Sequence, residues 1–253
     1  MPKLSVIMSV FNGEKYVKEA INSVLDQTFK DFEFIIINDG STDHTHEILN
    51  SYNDNRMRIF HQKNQGLTKS LNTCINKAKT NLIARIDADD IAHPDRLLRQ
   101  FNHIINNDKI GLLGTRAKVV NGGFIKITKK FNKDKIIQYL KIGNPFVHSS
   151  VIFRKNIFEK IGFYNEKYRT SQDFEAWSRL SKICELEILD DVLVTRRIFN
   201  NSLSTKNYLS QSINSFKIRR GKIPISKNVL LLCYQIISNA VPTELVKLIK
   251  NFR

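Results

Sequence analysis

Residues 83–96, IARIDADDIAHPDR, combine the end of an apolar run, a group of acids and the start of a helical pattern. The apolar run is short and β-favouring, which is typical of a strand buried on both faces. Asp87, Asp89 and Asp90 follow it, and Pro94 stands at the first turn of the helical pattern, where proline is tolerated. This stretch therefore predicts a buried strand that ends in carboxylates and is followed by a helix.

The same alternation of strand and helix runs through the first half of the chain. This order predicts an α/β fold with a doubly wound, mainly parallel sheet flanked by helices. The predicted strands are Leu4–Val10, Phe34–Ile37, Arg58–His61 and Leu82–Ile86. The predicted helices are Ala20–Leu25, Thr42–Tyr52, Gly66–Ala78 and a segment that begins at Pro94.

Polar clusters follow three of the predicted strands. Sheets of this kind bind ligands beyond the carboxyl ends of their strands, so we expect the clusters to converge. No GxGxxG or GxxxxGK[ST] motif follows a strand, which excludes a dinucleotide fingerprint and a P-loop. We therefore expect phosphate to be held through a metal ion on carboxylates. The clusters are Asn12-Gly13-Glu14, Asn38-Asp39-Gly40-Ser41 and Asp87-Ala88-Asp89-Asp90.

The third cluster has two interpretations. In an extended segment Asp87 and Asp89 lie on the same side, and two adjacent carboxylates favour a cation such as Mg²⁺ or Mn²⁺. Alternatively, the acids belong to a solvated loop and are favoured by the dipole of the following helix. We expect the metal role for Asp87 and Asp89, and the loop role for Asp90.

The second half of the chain is less regular. Residues 116–135 are basic and predict a hairpin around residues 121–123. Residues 144–155 predict a loop and then a strand. Residues 170–182 predict a helix with Asp173 in its first turn.

The charge of the chain predicts an anionic partner. The 253 residues carry a formal net charge of +16, and residues 206–253 contain nine Lys or Arg against one acid. Nucleic acid, an acidic membrane face and a phosphorylated ligand all fit this charge.

Cysteine usage and the short apolar runs predict a cytoplasmic protein. Cys74, Cys184 and Cys233 are odd in number and far apart, which favours a reducing compartment. Leu4–Phe11 is too short for the core of a signal peptide, and Val229–Ile237 is shorter than the ~20 residues that span a bilayer.

The end of the chain has apolar residues at helical spacing with basic residues among them. We expect this tail to dock on the inner face of the cell membrane, together with Val229–Ile237 and the basic residues Arg219, Arg220 and Lys222. Packing on the core or in a homodimer interface remains the alternative. The tail positions are Leu245, Val246, Leu248, Ile249 and Phe252, with Lys247, Lys250 and Arg253.

Five segments, in this order, resemble family 2 glycosyltransferases of the GT-A fold: SVIMSVFNGEKYVKEAINSVLDQTF, FEFIIINDGSTDHTHEIL, NQGLTKSLN, IARIDADDIAHPDRL and SQDFEAW. The resemblance covers residues 4 to about 205 and implies a domain over residues 1–205. Residues 1–100 would form its nucleotide-binding half, 101–205 its acceptor-side half, and 206–253 a basic helical extension.

The resemblance also implies an inverting enzyme that moves a hexose from a sugar nucleotide, usually a UDP-sugar, to an acceptor hydroxyl. Its common setting is bacterial surface polysaccharide (O-antigen or capsule), where the acceptor is often a sugar on a lipid diphosphate.

The resemblance also implies roles for residues of the donor site. Asp87-Ala88-Asp89 is similar to the family's DxD motif, with Asp87 facing the ribose or base and Asp89 ligating Mn²⁺ or Mg²⁺. Asp39 would accept the uracil N3–H, a suitable role for a group that only accepts; the alternative is a turn or helix-cap aspartate. The remaining residues of this predicted pocket are Val10, Phe11, Asn12, Glu14, Gly66 and Arg85. For Glu14, a helix-dipole role is the alternative.

On the acceptor side, the SQDFEAW segment is similar to the start of the family's catalytic helix. Asp173 would be the general base, or otherwise a capping acid. Trp177 would form a platform for the acceptor sugar or belong to the core. His148 would line the acceptor side or be a structural histidine.

One residue departs from the family pattern. Many members have an Arg-x-His stretch whose histidine joins the metal, and Phe199 stands in that place here. Because phenylalanine cannot ligate, we expect the metal to have one protein ligand fewer, with water in the vacant position.

Two other classes of protein fit part of the pattern. A nucleotidyltransferase that makes sugar nucleotides would carry a Gly-rich basic loop after the first strand, where this chain has VFNGEKY. A nucleic-acid-binding protein would explain the charge but not the acids at the strand ends. We therefore expect no nucleic acid partner.

Overall fold

The computed structural model describes residues 1–199 and 207–240, with side chains described as far as residue 236. The strands are β1 Leu4–Val10, β2 Phe32–Asn38, β3 Met57–His61, β4 Leu82–Arg85, β5 Ile91–Ala92, β6 Ile110–Asn121, β7 Phe124–Ile127, β8 Ile152–Arg154 and β9 Glu185–Ile198. The helices are α1 Val17–Leu25, α2 Thr45–Asn50, α3 Leu67–Lys77, α4 Arg96–Ile105, α5 Lys133–Tyr139, α6 Lys155–Lys160, α7 Gln172–Leu180, α8 Tyr208–Arg219 and α9 Ile225–Ala240.

The strands form one sheet in the order β3-β2-β1-β4-β8-β6-β9-β5, with β7 beside β6. From β3 to β4 all neighbours are parallel. β8 runs antiparallel to both β4 and β6, whereas β9 is again parallel to β6. The predicted α/β fold with helices around a mainly parallel sheet is confirmed. The reversed strand β8 is the main departure from a uniform parallel arrangement.

The strand order changes direction at β1, because β2 lies on one side of it and β4 on the other. Val10 is paired with Asn38, and Ile7 with Arg85, so the carboxyl ends of these strands lie at one edge of the sheet. A change of direction of this kind opens a crevice beyond the strand ends. All three predicted polar clusters lie at this edge.

The apolar runs of β1 and β2 are buried because helices cover both faces of the sheet. Val6 and Met8 of β1 pack in one cluster with the buried face of α1, whereas Ile7 packs in a second cluster with α3 and α7. Ile35 and Ile36 of β2 divide between the same two clusters. Alternation along each strand therefore supplies both layers of the core.

A buried polar network fixes the end of β4. Arg96 of α4 is 1% exposed, and its Nη2 donates to the Arg85 carbonyl over 2.7 Å. Its Nε donates to Gln100 Oε1 over 3.0 Å, and the Gln100 amide donates to the carbonyls of Leu113 and Ser150. These bonds tie α4 to β4 and β6 and so hold the backbone that carries the acids.

Helix α2 begins at Thr45, three residues later than predicted. The delay has a local cause, because the preceding turn is hydrogen-bonded to the loop after β1. Thr42 N–H donates to Asn12 Oδ1 over 2.8 Å, and His44 N–H donates to Glu14 Oε2 over 2.9 Å. The predicted hairpin is confirmed, since β6 and β7 pair antiparallel around residues 122 and 123.

The described part of the C-terminal extension packs against the domain. Asn214 of α8 donates to the Thr170 carbonyl over 3.1 Å. Arg219 is fully buried and donates to Asn228 Oδ1 over 2.8 Å, so the prediction that Arg219 belongs to an exposed basic cluster was wrong. No helix within residues 1–199 and 207–240 is long and apolar enough to cross a membrane. The predicted amphipathic positions from Leu245 to Arg253 lie outside the described residues.

Candidate active site

The carboxylates of Asp87, Asp89 and Asp90 form a compact cluster just beyond β4. One oxygen of each lies within 4.8 Å of the others. Burial, and then the charge of Asp87, raise the pKa of Asp89 to about 6. Crowded carboxylates of this kind gain from a cation, and hard oxygen ligands suit Mg²⁺ or Mn²⁺. The donor set therefore fits the predicted metal.

Asp87 already has a compensating charge. Arg85 is 1% exposed, and its Nη1 donates to Asp87 Oδ2 over 2.8 Å, with a second contact from Nη2 to Oδ1. The Ser149 hydroxyl also donates to Asp87 Oδ2 over 2.9 Å. Asp89 forms no ion pair with any residue that the structure describes, and it is therefore the carboxylate with the greater need of a cation.

Asp90 lies in the same cluster, contrary to the expected solvated-loop role. It is 1% exposed, and burial followed by the charges of Asp87 and Asp89 raises its pKa to about 7. Its Oδ1 accepts the backbone N–H of Arg197 over 2.9 Å. Asp90 therefore joins the acid loop to β9.

Asp39 is buried at the end of β2 and organises the loop ahead of α3. Its Oδ1 accepts from Gln62 Nε2 over 2.7 Å and from the N–H of Gln65 over 2.9 Å. Its Oδ2 accepts the N–H of Gly66 over 2.8 Å. Gly66 has a φ of 89°, a backbone conformation that favours glycine. The turn interpretation thus describes part of what Asp39 does, and Oδ2 retains a lone pair for a further donor.

We expect Asp39→Ala to lower the free energy of unfolding by about 1–3 kcal/mol, because two backbone N–H groups and one side-chain amide lose their acceptor. Urea unfolding measures the loss, and exposed Asp134 offers a control whose replacement by alanine should change the free energy by under about 0.5 kcal/mol. Equal stability of the Asp39 variant and the wild type would contradict this anchoring role.

The loop after β1 presents one exposed aromatic ring. Phe11 is 51% exposed, whereas Val10 is buried below it. Asn12 adopts a positive φ of 51° and receives a hydrogen bond from the turn before α2. Glu14 Oε2 accepts from the backbone N–H of His44, and this bond lowers the pKa of Glu14. Phe11 is therefore the side chain of this loop that is open to a flat ligand, while Asn12 and Glu14 hold the loop.

Asp173 lies in the first turn of α7 with both oxygens hydrogen-bonded. Asn144 Nδ2 donates to its Oδ2 over 2.7 Å, and the Phe174 N–H donates to its Oδ1 over 2.8 Å. Burial raises its pKa, and the charges of Arg85 and Arg196 act in the opposite direction. The charges of the same two arginines also lower the pKa of Asp89, so both arginines lie within electrostatic range of both carboxylates.

An aromatic cluster lies beneath Asp173. Trp177 is completely buried against Phe146, Tyr164 and His148, so it belongs to the core and presents no face to an acceptor sugar. The Tyr164 hydroxyl and His148 Nε2 are 2.8 Å apart. Burial lowers the pKa of His148 well below its usual value, and this keeps the imidazole neutral. His148 thus lies at the floor of the site, and its Nε2 is hydrogen-bonded to the Tyr164 hydroxyl.

Phe199 closes the end of β9 against the loop after β1. Its ring stacks on Tyr16 with centroids 4.5 Å apart and an interplanar angle of 12°. Arg197 lies over the same tyrosine ring at 5.0 Å. The position that holds histidine in the family pattern therefore makes an aromatic contact here.

Three polar residues of this site escaped the sequence interpretation. Asn144 and Ser149 hold the two aspartates, and neither belongs to a motif with a recognisable spacing. The charge of Arg196, at the end of β9, acts on Asp89 and Asp173. Consecutive side chains of a strand lie on opposite faces. A predicted strand that reached residue 197 would therefore have placed Arg196 and Arg197 on different faces.

Comparison with known proteins supports the same conclusion about the fold. Residues 5–162 match the family model described as Glycosyl transferase family 2. The chain resembles the structure of S. aureus TarS 1-349 in complex with UDP-GlcNAc, with a TM-score of 0.69 and 18% identity over 92% of this chain and 71% of that one. It also resembles mannosyltransferase PcManGT from Pyrobaculum calidifontis in complex with GDP-Man and Mn²⁺, with a TM-score of 0.68 and 15% identity over 94% and 71% of the two chains.

Two sequence relatives are closer in identity. The O-antigen biosynthesis glycosyltransferase WbnJ of Escherichia coli is 34% identical over 224 residues, which cover 85% of this chain and 87% of the relative. An uncharacterised glycosyltransferase of Methanocaldococcus jannaschii is 36% identical over 220 residues, or 83% and 74% of the two chains. Together with the family match over residues 5–162 and the mainly parallel sheet with its acidic strand ends, these relationships show that this chain belongs to glycosyl transferase family 2 and is a GT-A-fold glycosyltransferase.

Proposed function

We propose that this glycosyltransferase is an inverting, metal-dependent enzyme that transfers a hexose from a UDP-sugar to a hydroxyl of an acceptor glycan. The observation that carries the proposal is the compact cluster of Asp87, Asp89 and Asp90 beyond β4, together with Arg85, which pairs with Asp87 and lies within electrostatic range of Asp173. A cation site and a buried carboxylate are the two elements that displacement of a diphosphate by a hydroxyl needs.

The acid cluster would hold Mn²⁺ or Mg²⁺, with Asp89 as the principal ligand. Asp87 is already paired with Arg85, so it would orient the nucleotide and act on the ion indirectly. When bound, the ion would neutralise charge on the diphosphate leaving group. The exposed ring of Phe11 and the free lone pair of Asp39 support a uracil pocket at the adjoining strand ends.

Asp173 would act as the general base. Its carboxylate would take the proton of the acceptor hydroxyl while that oxygen attacks the anomeric carbon from the face opposite the diphosphate. An ordinary aspartate is a weak base with a pKa of ~3.9, and partial burial makes Asp173 a stronger one. Asn144 and the Phe174 N–H would hold the carboxylate in place for this transfer.

The decisive experiment is a panel of nucleotide sugars assayed for nucleoside diphosphate release with and without Mn²⁺. The panel should include GDP-mannose, because a structural relative is described with that donor. Release of UDP from one UDP-hexose, dependent on metal and on acceptor, would support the proposal. If GDP were released from GDP-mannose and no UDP from any UDP-sugar, the proposed UDP-sugar donor would be wrong and GDP-mannose would take its place.

The acceptor is proposed to be a lipid-diphosphate-linked sugar at the cytoplasmic face of the membrane. An O-antigen biosynthesis glycosyltransferase among the relatives supports this setting. Helix α9 also exposes apolar side chains at Ile225, Val229, Leu230 and Tyr234, which could enter a lipid interface.

We expect the full chain to float with anionic vesicles at low salt, and an Ile225→Ser/Leu230→Ser variant to float less, because α9 would lose exposed apolar area. The matched control is Ile183→Ser, since Ile183 is 50% exposed on the domain itself. Equal flotation of wild type and the α9 variant, or no flotation with any vesicle, would exclude docking through this helix.

A further inference from the structure

The position of Asp173 depends on two segments that flank it. Asn144, in the loop between α5 and β8, donates to its Oδ2 over 2.7 Å. Ser171 stands directly before α7 and has a φ of 59°, a backbone conformation that residues with side chains rarely adopt. The loop of Asn144 therefore orients the carboxylate, and the turn at Ser171 sets where its helix begins.

The turn ahead of α7 is held by α8 of the C-terminal extension. Asn214 Nδ2 donates to the Thr170 carbonyl over 3.1 Å and to Thr170 Oγ1 over 2.9 Å. The Ser171 hydroxyl donates to the carbonyl of Gln211 over 3.4 Å. An unfavourable backbone conformation persists where the surrounding contacts fix it. These bonds therefore hold Ser171 in its left-handed conformation, two residues ahead of Asp173.

The loop of Asn144 is held by the same extension. Arg219, the last residue of α8, is fully buried, and its Nη1 donates to the Ile142 carbonyl over 3.3 Å. Its Nε donates to Asn228 Oδ1 over 2.8 Å, so one guanidinium joins α8, α9 and this loop. Ile142 precedes Asn144 by two residues. Arg219 therefore fixes the backbone from which Asn144 reaches Asp173.

The extension reaches the surroundings of Asp173 through neutral contacts. The arginine charges that act on the pKa of Asp173 are those of Arg85 and Arg196, and neither residue belongs to the extension. Lys222 of the extension meets the ring of Phe174, with its Nζ 5.6 Å from the ring centroid. The extension therefore acts on Asp173 through the position of its neighbours.

We propose that Asn214 and Arg219 are positioning residues, which hold Asp173 in the place from which it takes the proton of the acceptor hydroxyl. The inference rests on the proposed function. A general base must lie within hydrogen-bond reach of the proton that it removes, and a misplacement of about 1 Å can lower the rate about 100-fold. The C-terminal extension is thus part of the catalytic unit.

Asn214→Ala in the full chain removes both bonds to Thr170. Single-turnover transfer should fall about 10- to 100-fold. UDP affinity should stay constant, because the proposed donor contacts lie at the strand ends. Asn214→Gln keeps the amide donors and should recover part of the rate. The control is Lys217→Ala, which changes an exposed residue of the same helix. Rates are referred to the number of UDP sites that calorimetry counts, so partial unfolding cannot imitate the effect.

Arg219→Lys tests the route through Asn144. Lysine keeps the charge but loses the planar fork of donors, so the loop should loosen. Because Asn144 stabilises the ionised form of Asp173, a weaker bond raises the pKa of Asp173 and moves the acidic limb of the pH profile to higher pH. Arg219→Lys added to Asn144→Ala should cause no further movement, since the donor is already absent.

Wild-type transfer and an unmoved acidic limb in the variants of Asn214 and Arg219 would overturn the proposal. Losses of UDP affinity as large as the losses of transfer would overturn it too, because they indicate general damage to the fold. An equal movement of the limb with and without Asn144 would exclude the route through that residue. A wild-type protein that releases no UDP from any UDP-sugar would instead refute the proposed function, so the two failures are distinguishable.

Discussion

Replacing Asp89 with alanine should abolish Mn²⁺-dependent binding of UDP. Asp89 forms no ion pair with the described residues, and burial, followed by the charge of Asp87, raises its pKa. Removing it leaves Asp87, which Arg85 already neutralises, and Asp90, which is bonded to β9. The remaining oxygens should hold the ion too weakly to link it to a diphosphate.

Titration calorimetry with UDP, with and without Mn²⁺, measures this effect. The Asp134→Ala variant is the matched control, since it removes one exposed carboxylate from α5. Thermal unfolding of the Asp89 variant should show that the fold is intact. A folded variant with wild-type affinity in Mn²⁺ would remove Asp89 from the metal site.

The second large effect is expected for Asp173→Asn. The side chain keeps its shape but can no longer accept a proton, so transfer should fall by roughly 10²- to 10⁴-fold. UDP affinity should be nearly unchanged, because the proposed donor contacts lie at the strand ends and not on α7. Single-turnover transfer and calorimetry on the same preparation test both statements, and near-normal turnover would exclude Asp173 as the base.

The pH dependence of the same reaction gives an independent check on Asp173. Its raised pKa means that activity should be lost as the pH falls through a range above that of an ordinary aspartate. Asn144→Ala removes a donor that stabilises the carboxylate, so the pKa should rise further and the acidic limb should move to higher pH. An acidic limb that is identical in the wild type and the Asn144 variant would contradict this link.

The strands that build the nucleotide side could be predicted because their signal is local. β1 and β4 are short, mainly apolar runs that are followed by turn residues or acids, and such runs need burial on both faces. A strand was predicted within residues 144–155, where β8 lies, but the reversed direction of β8 and the two-residue β5 carry no such signal. Their pairings join positions far apart in the chain, as when Ala84 meets Ile152.

The site was predictable where chemistry concentrates in a short stretch, and not where it depends on contacts. Asp87 and Asp89 lie two positions apart in the sequence, whereas Asn144 reaches Asp173 only through the fold. Trp177 was left open between an acceptor platform and the core, because helical spacing gives a face without saying whether that face meets solvent or core. The structure buries it under the site.

The hydrogen bonds of Asp39 have a further consequence for donor recognition. They hold the loop ahead of α3 through groups of the protein itself, and Asn12 and Glu14 hold the facing loop in the same way. The conformational entropy of ordering both walls is thus lost during folding and not during binding. A preorganised pocket of this kind should bind free UDP with little change in backbone amide hydrogen exchange along both loops.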